Sequence, residues 1–332
     1  MVYTDEMKKW LKRMEGYRQH RKEGLGEKVI YAPSAFPAIK NMKYKVITTF
    51  KPGDWNRYAK RMVKSVLDNW PDVSITVYYQ NKKPILDDNR ITWIDIDKAN
   101  PNLFQFREIY KNDPVAMGKL TTIPGGVRRS PRLIKEGGLD KDKDSYLWNA
   151  VKFSYKVSCV THGIRNYQDY DYVIWIDDDT YTFRQVPIDF LKNLCPIDSL
   201  VTYCGREDLE RNSNKYPECG LVAYNIKHPL VQNFINDWEK LYTSKEIFNL
   251  LEWHDSYVFW HMTKTYRKKY NIKVNDIGYA KGVRGHHVFV NCELGLYIDH
   301  FKGDRKSHKT SRADDIRKSP NIAKIDYWKN KL

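Results

Sequence analysis

The amino-acid sequence predicts an α/β fold, in which one large domain has a mixed, mainly parallel sheet flanked by helices. Three β-rich runs occur at 45–50, 73–79 and 91–96, and a helix-like segment at 55–70 separates the first two. Strand, helix and strand in this order favour parallel pairing with right-handed crossovers. A near-continuous apolar run at 172–176 is typical of a central strand that is covered on both faces.

A basic N-terminal extension, residues 1–43, is predicted to precede this domain. We expect a helix from about Thr4 to Lys22, because Thr4 is suited to cap it and apolar residues recur within it at helical spacing. Several Gly and Pro residues at 24–42 indicate a connector. The helix is therefore expected to be an addition that packs on the domain.

The body of the domain, residues 44–303, contains a further long helix at about 144–163. Four apolar or aromatic side chains at helical spacing are expected on its buried side: Trp148, Val151, Tyr155 and Cys159. Lys152 and Lys156 lie one turn apart and are expected on another side.

The net charge is +16, and most of it lies in three segments. Residues 1–43 hold ten basic and five acidic side chains, and the predicted insertion loop 119–143 holds seven and three. Residues 302–332, which include a predicted basic tail at 304–332, hold ten and four. Because the rest of the chain is close to neutral, this layout favours a polyanionic partner, with double-stranded DNA first. The alternative is that the basic extensions only solvate the protein.

Several classes of protein are disfavoured by what the sequence lacks. No apolar run approaches the roughly 20 residues that span a bilayer, and the first residues lack the apolar core of a signal peptide. We therefore expect a cytoplasmic protein without transmembrane contact. The five cysteines form no Cys-x-x-Cys pair, which favours reduced thiols. Neither G-x-G-x-x-G after the first strand nor a P-loop motif occurs, which disfavours a dehydrogenase or a P-loop NTPase.

Three adjacent carboxylates, Asp177, Asp178 and Asp179, follow the predicted central strand. Ligands bind at the carboxyl ends of the strands in open α/β sheets. Adjacent negative charges raise one another's pKa unless a cation neutralises them, and oxygen ligands suit Mg²⁺ or Mn²⁺. The triplet thus predicts a divalent metal site. The alternative is an acidic turn that caps the next helix.

The strand with its acidic triplet resembles the Asp-x-Asp motif of metal-dependent nucleotide-sugar glycosyltransferases, which have the Rossmann-like GT-A fold. The resemblance covers about residues 44–303. It implies that Asp177 and Asp179 serve the metal, Mn²⁺ or Mg²⁺, and that Asp178 faces the donor sugar or ribose. It also implies a nucleoside diphosphate sugar as donor, with a uridine nucleotide favoured.

Residues 297–303 resemble the late family element that closes over the diphosphate of the donor. The resemblance implies that His300 completes the metal shell through a neutral imidazole nitrogen. It also implies that Lys302, Gly303 and Lys306 lie against the departing phosphates, whose charge the lysines would neutralise.

Three further residues are expected near the base and ribose of the donor, because the carboxyl end of the first strand faces the same crevice: Thr48, Phe50 and Lys156. The segment 216–225 resembles the family turn that lines the sugar and acceptor pocket, which implies such a place for Glu218, Cys219 and Gly220. An ordinary turn into a strand is the alternative for this segment.

The candidate catalytic base is Asp255, with His254 as the second choice. An acceptor hydroxyl is a poor nucleophile until a base takes its proton, and in the resembled fold an acceptor-side carboxylate falls at a comparable place. If the reaction retains the anomeric configuration, Asp255 would instead orient the acceptor or the sugar. Glu252 and Glu218 remain alternatives, as does a structural role for Asp255.

The first expectation for the acceptor is DNA that carries a hydroxymethylated pyrimidine, as in phage-encoded DNA glycosyltransferases. Arg128, Arg129 and Arg132 would then hold the DNA backbone. A cell-surface glycan or lipid-linked saccharide is the second expectation, with a protein acceptor third. Functions of other classes are a non-catalytic nucleic-acid-binding protein and a two-metal nucleotidyltransferase or nuclease.

Overall fold

The computed structural model describes residues 42–119, 122–123, 126–127, 145–207, 216–283, 287–303, 305–316 and 320–330. The chain divides into two compact units, residues 1–40 and 41–332, and the fold described here is that of the second. The predicted N-terminal helix and the three arginines Arg128, Arg129 and Arg132 lie outside the described residues, so their roles stay predictions.

The strands are β1 Tyr44–Thr49, β2 Ser74–Tyr79, β3 Ile91–Asp95, β4 Thr122–Ile123, β5 Gly126–Val127, β6 Tyr172–Ile176, β7 Thr180–Thr182, β8 Val201–Cys204, β9 Glu218–Asn225, β10 Asn275–Asp276 and β11 Ile298–His300. The α-helices are α1 Lys60–Asn69, α2 Ile96–Ala99, α3 Pro101–Tyr110, α4 Ala150–Asn166, α5 Ile188–Leu194, α6 Val231–Thr243, α7 Asp255–Tyr270, α8 Val288–Asn291, α9 Arg305–His308, α10 Ala313–Ile316, α11 Pro320–Ala323 and α12 Asp326–Lys329. A π-helical turn, Trp55–Ala59, leads into α1, and a 3₁₀ turn, Ser145–Trp148, precedes α4.

Seven strands form the main sheet, in the order β10-β8-β9-β6-β1-β2-β3. Strand β1 pairs in parallel with β2 and β6, β2 with β3, and β8 with β10, whereas β9 runs antiparallel to β6 and β8. The predicted α/β class with a mixed, mainly parallel sheet is confirmed. Every residue of β6 is buried, which is the burial expected of a central strand.

Helix α4 packs closely on the sheet. A β-carbon on Gly163 would lie 3.3 Å from Ile47 Cδ1 and 3.4 Å from Val173 Cγ1, so the missing side chain allows the helix to approach β1 and β6. The predicted helix at 144–163 is interrupted at Asn149, whose side chain caps α4 by accepting a hydrogen bond from the Lys152 amide, 2.8 Å away.

One expectation for α4 is wrong. Lys156 does not lie on a side away from the buried residues: only 6% of it is exposed, and it faces the sheet with Cys159. Its ammonium is stable there because buried carboxylates surround it, as described below. Among described residues, no helix is long and apolar enough to cross a membrane.

The described part of the predicted basic tail folds against the β7–β11 ribbon. Tyr327 stacks on Phe183 with ring centroids 3.9 Å apart, and its hydroxyl donates to Asp299 Oδ2 over 2.8 Å. Trp328 is fully buried and its indole N–H donates to the Gly295 carbonyl over 2.7 Å. These contacts hold α12 beside the strand that ends at His300.

His228 predicts a measurable acid sensitivity of the fold. Its Nδ1 accepts a hydrogen bond from the Leu230 amide before α6, and burial lowers its pKa to about 4. Between pH 6.5 and 4 the unfolded histidine binds a proton that the folded one does not. The free energy of unfolding therefore decreases as the pH is lowered through this window. We expect the free energy of unfolding in urea to fall between pH 7 and pH 4.5 in both proteins. In His228→Asn this fall should be smaller than in the wild type, by on the order of 2 to 3 kcal/mol. Equal losses in both proteins would contradict this origin.

Candidate metal and substrate site

The carboxyl end of β6 and the end of β11 bring three candidate metal ligands together. Asp177, Asp179 and His300 each offer a ligand atom, and these atoms lie within 4.8 Å of one another. His300 Nε2 is 3.2 Å from Asp179 Oδ1 and 3.8 Å from Asp177 Oδ2. The arrangement arises because β7, which follows the acidic triplet, pairs antiparallel with β11 and sets His300 opposite Thr180.

The donor atoms of this cluster fit a divalent cation. Asp179 Oδ1 is buried and accepts no hydrogen bond, although His300 Nε2 is close to it. A buried carboxylate oxygen without a partner is costly, and a shared cation would satisfy it together with the imidazole. Two carboxylates and one imidazole form a ligand set that Mn²⁺ accepts.

Charge within the cluster shifts the pKa values of these groups in opposite directions. Burial opposes ionisation of Asp179, but the charges of His300 and Lys306 outweigh it and hold the pKa of Asp179 well below its usual range. Lys306 Nζ lies 2.7 Å from Asp179 Oδ2. By contrast, burial and the neighbouring Asp179 charge raise the pKa of Asp178 well above its usual range.

Glu218 lies behind His300 and is almost fully buried at the start of β9. Its Oε1 is 3.8 Å from His300 Nδ1, and its Oε2 accepts a hydrogen bond from Lys302 Nζ over 2.6 Å and lies 3.3 Å from Arg206 Nη2. These cations outweigh burial and lower the pKa of Glu218. Glu218 thus supports His300 electrostatically and raises the pKa of its imidazole, and Lys302 must leave this pair to reach a phosphate. Gly303, the residue after Lys302, has a positive φ of 66°.

Lys156 lies beneath the acidic cluster. Its ammonium donates to Asp255 Oδ2 and to the Cys219 carbonyl, both over 2.7 Å, and is 3.5 Å from Asp177 Oδ1. Burial alone would lower the pKa of Lys156, but the two carboxylates raise it. Lys156 therefore links Asp177, a candidate metal ligand, to Asp255, the first residue of α7.

His254 precedes Asp255 and forms a buried pair with Glu252. His254 Nε2 is 2.7 Å from Glu252 Oε2, and Glu252 is fully buried with no hydrogen bond to Oε1. Among the described residues, Nδ1 of His254 has no hydrogen-bond partner. The rings of Tyr146, Phe153, Tyr216 and Tyr257 surround the imidazole at centroid distances of 5.7 to 6.5 Å.

The end of β1 carries the predicted donor residues Thr48 and Phe50. Thr48 Oγ1 is buried without a hydrogen bond, and Phe50 packs against Trp55 with ring centroids 5.3 Å apart. Trp55 in turn meets Trp93 of β3 edge-on at 5.4 Å. Both tryptophans are half-buried, and sequence reasoning missed them because their contact joins β3 to the segment after β1.

One basic residue near the cluster, Lys152, was also missed as a site residue. Lys152 is exposed, but desolvation of its ammonium by the nearby protein, and then the positive charges of Lys51 and Lys306, lower its pKa, whereas Asp255 and Asp177 raise it. Lys152 is therefore within electrostatic reach of both carboxylates. Its spacing of one helical turn from Lys156 was the available signal.

Gly220 leaves the space that His300 occupies, and this predicts the effect of a single methyl group. A β-carbon on Gly220 would lie 2.5 Å from Cε1 and 2.8 Å from Nδ1 of His300. We expect Gly220→Ala to displace the imidazole and to weaken Mn²⁺ binding by about 10- to 100-fold, measured by isothermal titration. In a His300→Ala background the same substitution should have no further effect; an equal effect there would contradict the mechanism.

Comparisons with known proteins give no match to a family model and no match among curated proteins. Similar solved structures include mouse xyloside xylosyltransferase 1 in its apo form, with a TM-score of 0.40 and 11% sequence identity over 71% of this chain and 85% of that chain. Another is apo WbbM, described as a bifunctional glycosyltransferase, with a TM-score of 0.45 and 11% identity over 90% of this chain and 52% of that chain. The chain thus spans about half the length of WbbM.

Proposed function

We propose that the protein is a divalent-metal-dependent glycosyltransferase that moves a sugar from a nucleoside diphosphate sugar to a hydroxyl acceptor. The observation that carries this proposal is the convergence of Asp177, Asp179 and His300 at the carboxyl end of the central strand, where Asp179 Oδ1 is buried, accepts no hydrogen bond and lies 3.2 Å from His300 Nε2. Phosphoryl oxygens and carboxylates are brought together at such sites by divalent ions. An imidazole ligand favours Mn²⁺ over Mg²⁺.

Asp177, Asp179 and His300 would hold the metal, which when bound supplies Lewis-acid stabilisation of the leaving diphosphate. The protein's own cations act in the same direction. Lys306 lies within electrostatic reach of all three aspartates and Lys152 within reach of Asp177 and Asp255, and the leaving group gains negative charge in the transition state. Fixed positive charges that face this group lower the barrier without reorganisation.

For the base that activates the acceptor, we propose His254 in preference to Asp255 if the anomeric configuration is inverted. Burial opposes ionisation of Asp255, but the ion pair with Lys156 prevails and lowers its pKa, so Asp255 is a weak base. His254 is held by Glu252 through one nitrogen, and its other nitrogen can accept the proton of a hydroxyl. Asp255 then positions the acceptor or sugar, as it would in a retaining reaction.

For the acceptor, we propose DNA that bears a hydroxymethylated pyrimidine, supported by the net charge of +16. The test incubates the protein with a panel of sugar nucleotides, Mn²⁺, and either hydroxymethylcytosine DNA or plain DNA, followed by mass analysis of the nucleosides. A mass gain only on the hydroxymethylated DNA supports this acceptor, and nucleoside diphosphate release without a gain on either DNA favours a glycan acceptor. No release from any sugar nucleotide would refute glycosyl transfer.

A further inference from the structure

A basic cavity lies between α1 and Tyr181 of β7. It has a volume of about 400 Å³, and its lining includes Asn56, Lys60, Arg61, Lys64, Asp68 and Tyr181. Three of these side chains are cationic and one is acidic. Lys60 and Lys64 are exposed, one helical turn apart, and form no ion pair among the described residues.

Arg61 is fixed in this cavity before any ligand arrives. Its guanidinium carbon lies 4.5 Å from the ring centroids of both Tyr181 and Phe301. Its one hydrogen bond among the described residues runs from Nη2 to the Lys309 carbonyl over 3.2 Å. A guanidinium presents five N–H donors, so most of them remain available to an anion. The two rings remove much of the entropy that the arginine would lose on binding.

The cavity adjoins the candidate metal site through the same two strands. Tyr181 lies two residues after Asp179, and Phe301 follows His300 directly and donates its amide to the Asp179 carbonyl over 2.9 Å. Lys306, which pairs with Asp179, also lies 5.6 Å from the ring of Tyr58 just before α1. Lys306 therefore lies between the candidate metal ligands and the segment that leads into α1.

We propose that this cavity binds a backbone phosphate of a nucleic-acid acceptor, next to the nucleotide that reacts at the metal site. A nucleic acid carries phosphates at regular spacing, so a strand that enters the crevice places further phosphates near it. A single phosphate of a nucleic acid can reach Arg61 together with Lys60 and Lys64, whereas a flat lipid surface would meet only the two exposed lysines. This inference rests on the proposed function in that the acceptor must reach the metal site.

The test measures binding of the full chain to a labelled duplex oligonucleotide by fluorescence anisotropy over a range of salt concentrations. Each phosphate neutralised contributes about 0.9 to the slope of log K against log salt. We expect the Lys60→Ala/Lys64→Ala double variant to bind more weakly and to lower this slope by about 2. The matched control is Lys268→Ala/Lys269→Ala, which removes two lysines at the exposed end of α7 and should leave the slope within about 0.5.

Equal losses in the two double variants would show that only diffuse charge attracts DNA and would overturn the proposal. An unchanged slope in the Lys60→Ala/Lys64→Ala variant would also overturn the proposal. The same holds if this variant loses affinity for phosphatidylserine vesicles but not for DNA. Metal-dependent hydrolysis of sugar nucleotides by the wild-type chain without DNA tests the proposed function separately. If that hydrolysis is absent while the slope still falls by about 2, the phosphate site stands and glycosyl transfer does not.

Discussion

Replacement of Asp179 by Asn is expected to abolish divalent metal binding and metal-dependent turnover. The substitution keeps the shape of the side chain but removes the negative charge that faces His300 and Lys306. We expect nucleoside diphosphate release to fall at least about 1,000-fold, which corresponds to about 4 kcal/mol of transition-state stabilisation. Release is measured at saturating Mn²⁺ with each active sugar nucleotide.

Thermal unfolding separates loss of the metal from loss of the fold. An ion that binds only the native state raises the melting temperature of the protein. Mn²⁺ should therefore stabilise the wild type but not Asp179→Asn. Without metal, the variant should be less stable than the wild type, because it loses the ion pairs with His300 and Lys306 that hold the pKa of Asp179 low. The control is Asp189→Asn, a surface change on α5 that should keep the response to Mn²⁺. An Asp179→Asn protein that is still stabilised by Mn²⁺ would refute the assignment of the site.

Replacement of Lys156 by Met is expected to cause the largest loss of stability. The ammonium is buried between Asp177 and Asp255, and removal of one partner leaves buried charges without compensation. Such changes cost about 3 to 5 kcal/mol, to be measured as the free energy of unfolding in urea at pH 7. The deficit should shrink as the pH falls toward 4, because protonation of the two carboxylates removes the uncompensated charge.

The matched control for this substitution is Lys152→Met, one turn earlier on the same helix. Lys152 is exposed and lies near Lys51 and Lys306, so its loss should change the free energy of unfolding by less than about 0.5 kcal/mol. Similar losses in the two variants, or a Lys156→Met deficit that is independent of pH, would show that packing and not charge compensation is responsible.

The sequence was informative where the signal is local. The apolar run of β6 and the three aspartates after it predicted both a central strand and the edge at which ligand atoms collect. The pairing of His300 with this edge was implied only by resemblance. Hydrophobic periodicity predicted α1 and α4, because their apolar stripes face the sheet.

The features that were missed depend on contacts between distant parts of the chain. Lys156 resembles a solvent-facing helix lysine, because its partner Asp255 lies 99 positions later and no local pattern reports that pair. The role of Glu218 as a support for His300 likewise follows from the meeting of β9 and β11 at the site. Arg61, which lines the basic cavity, packs against Phe301, the residue that follows β11.

The position of His300 near the end of the sequence has a consequence for synthesis of the protein. The ribosome makes both aspartates about 120 residues before it makes this histidine. A nascent chain therefore carries an incomplete coordination sphere until β11 has emerged and paired with β7. Premature termination in this interval would leave a product with the acidic triplet but without the histidine of the candidate metal site.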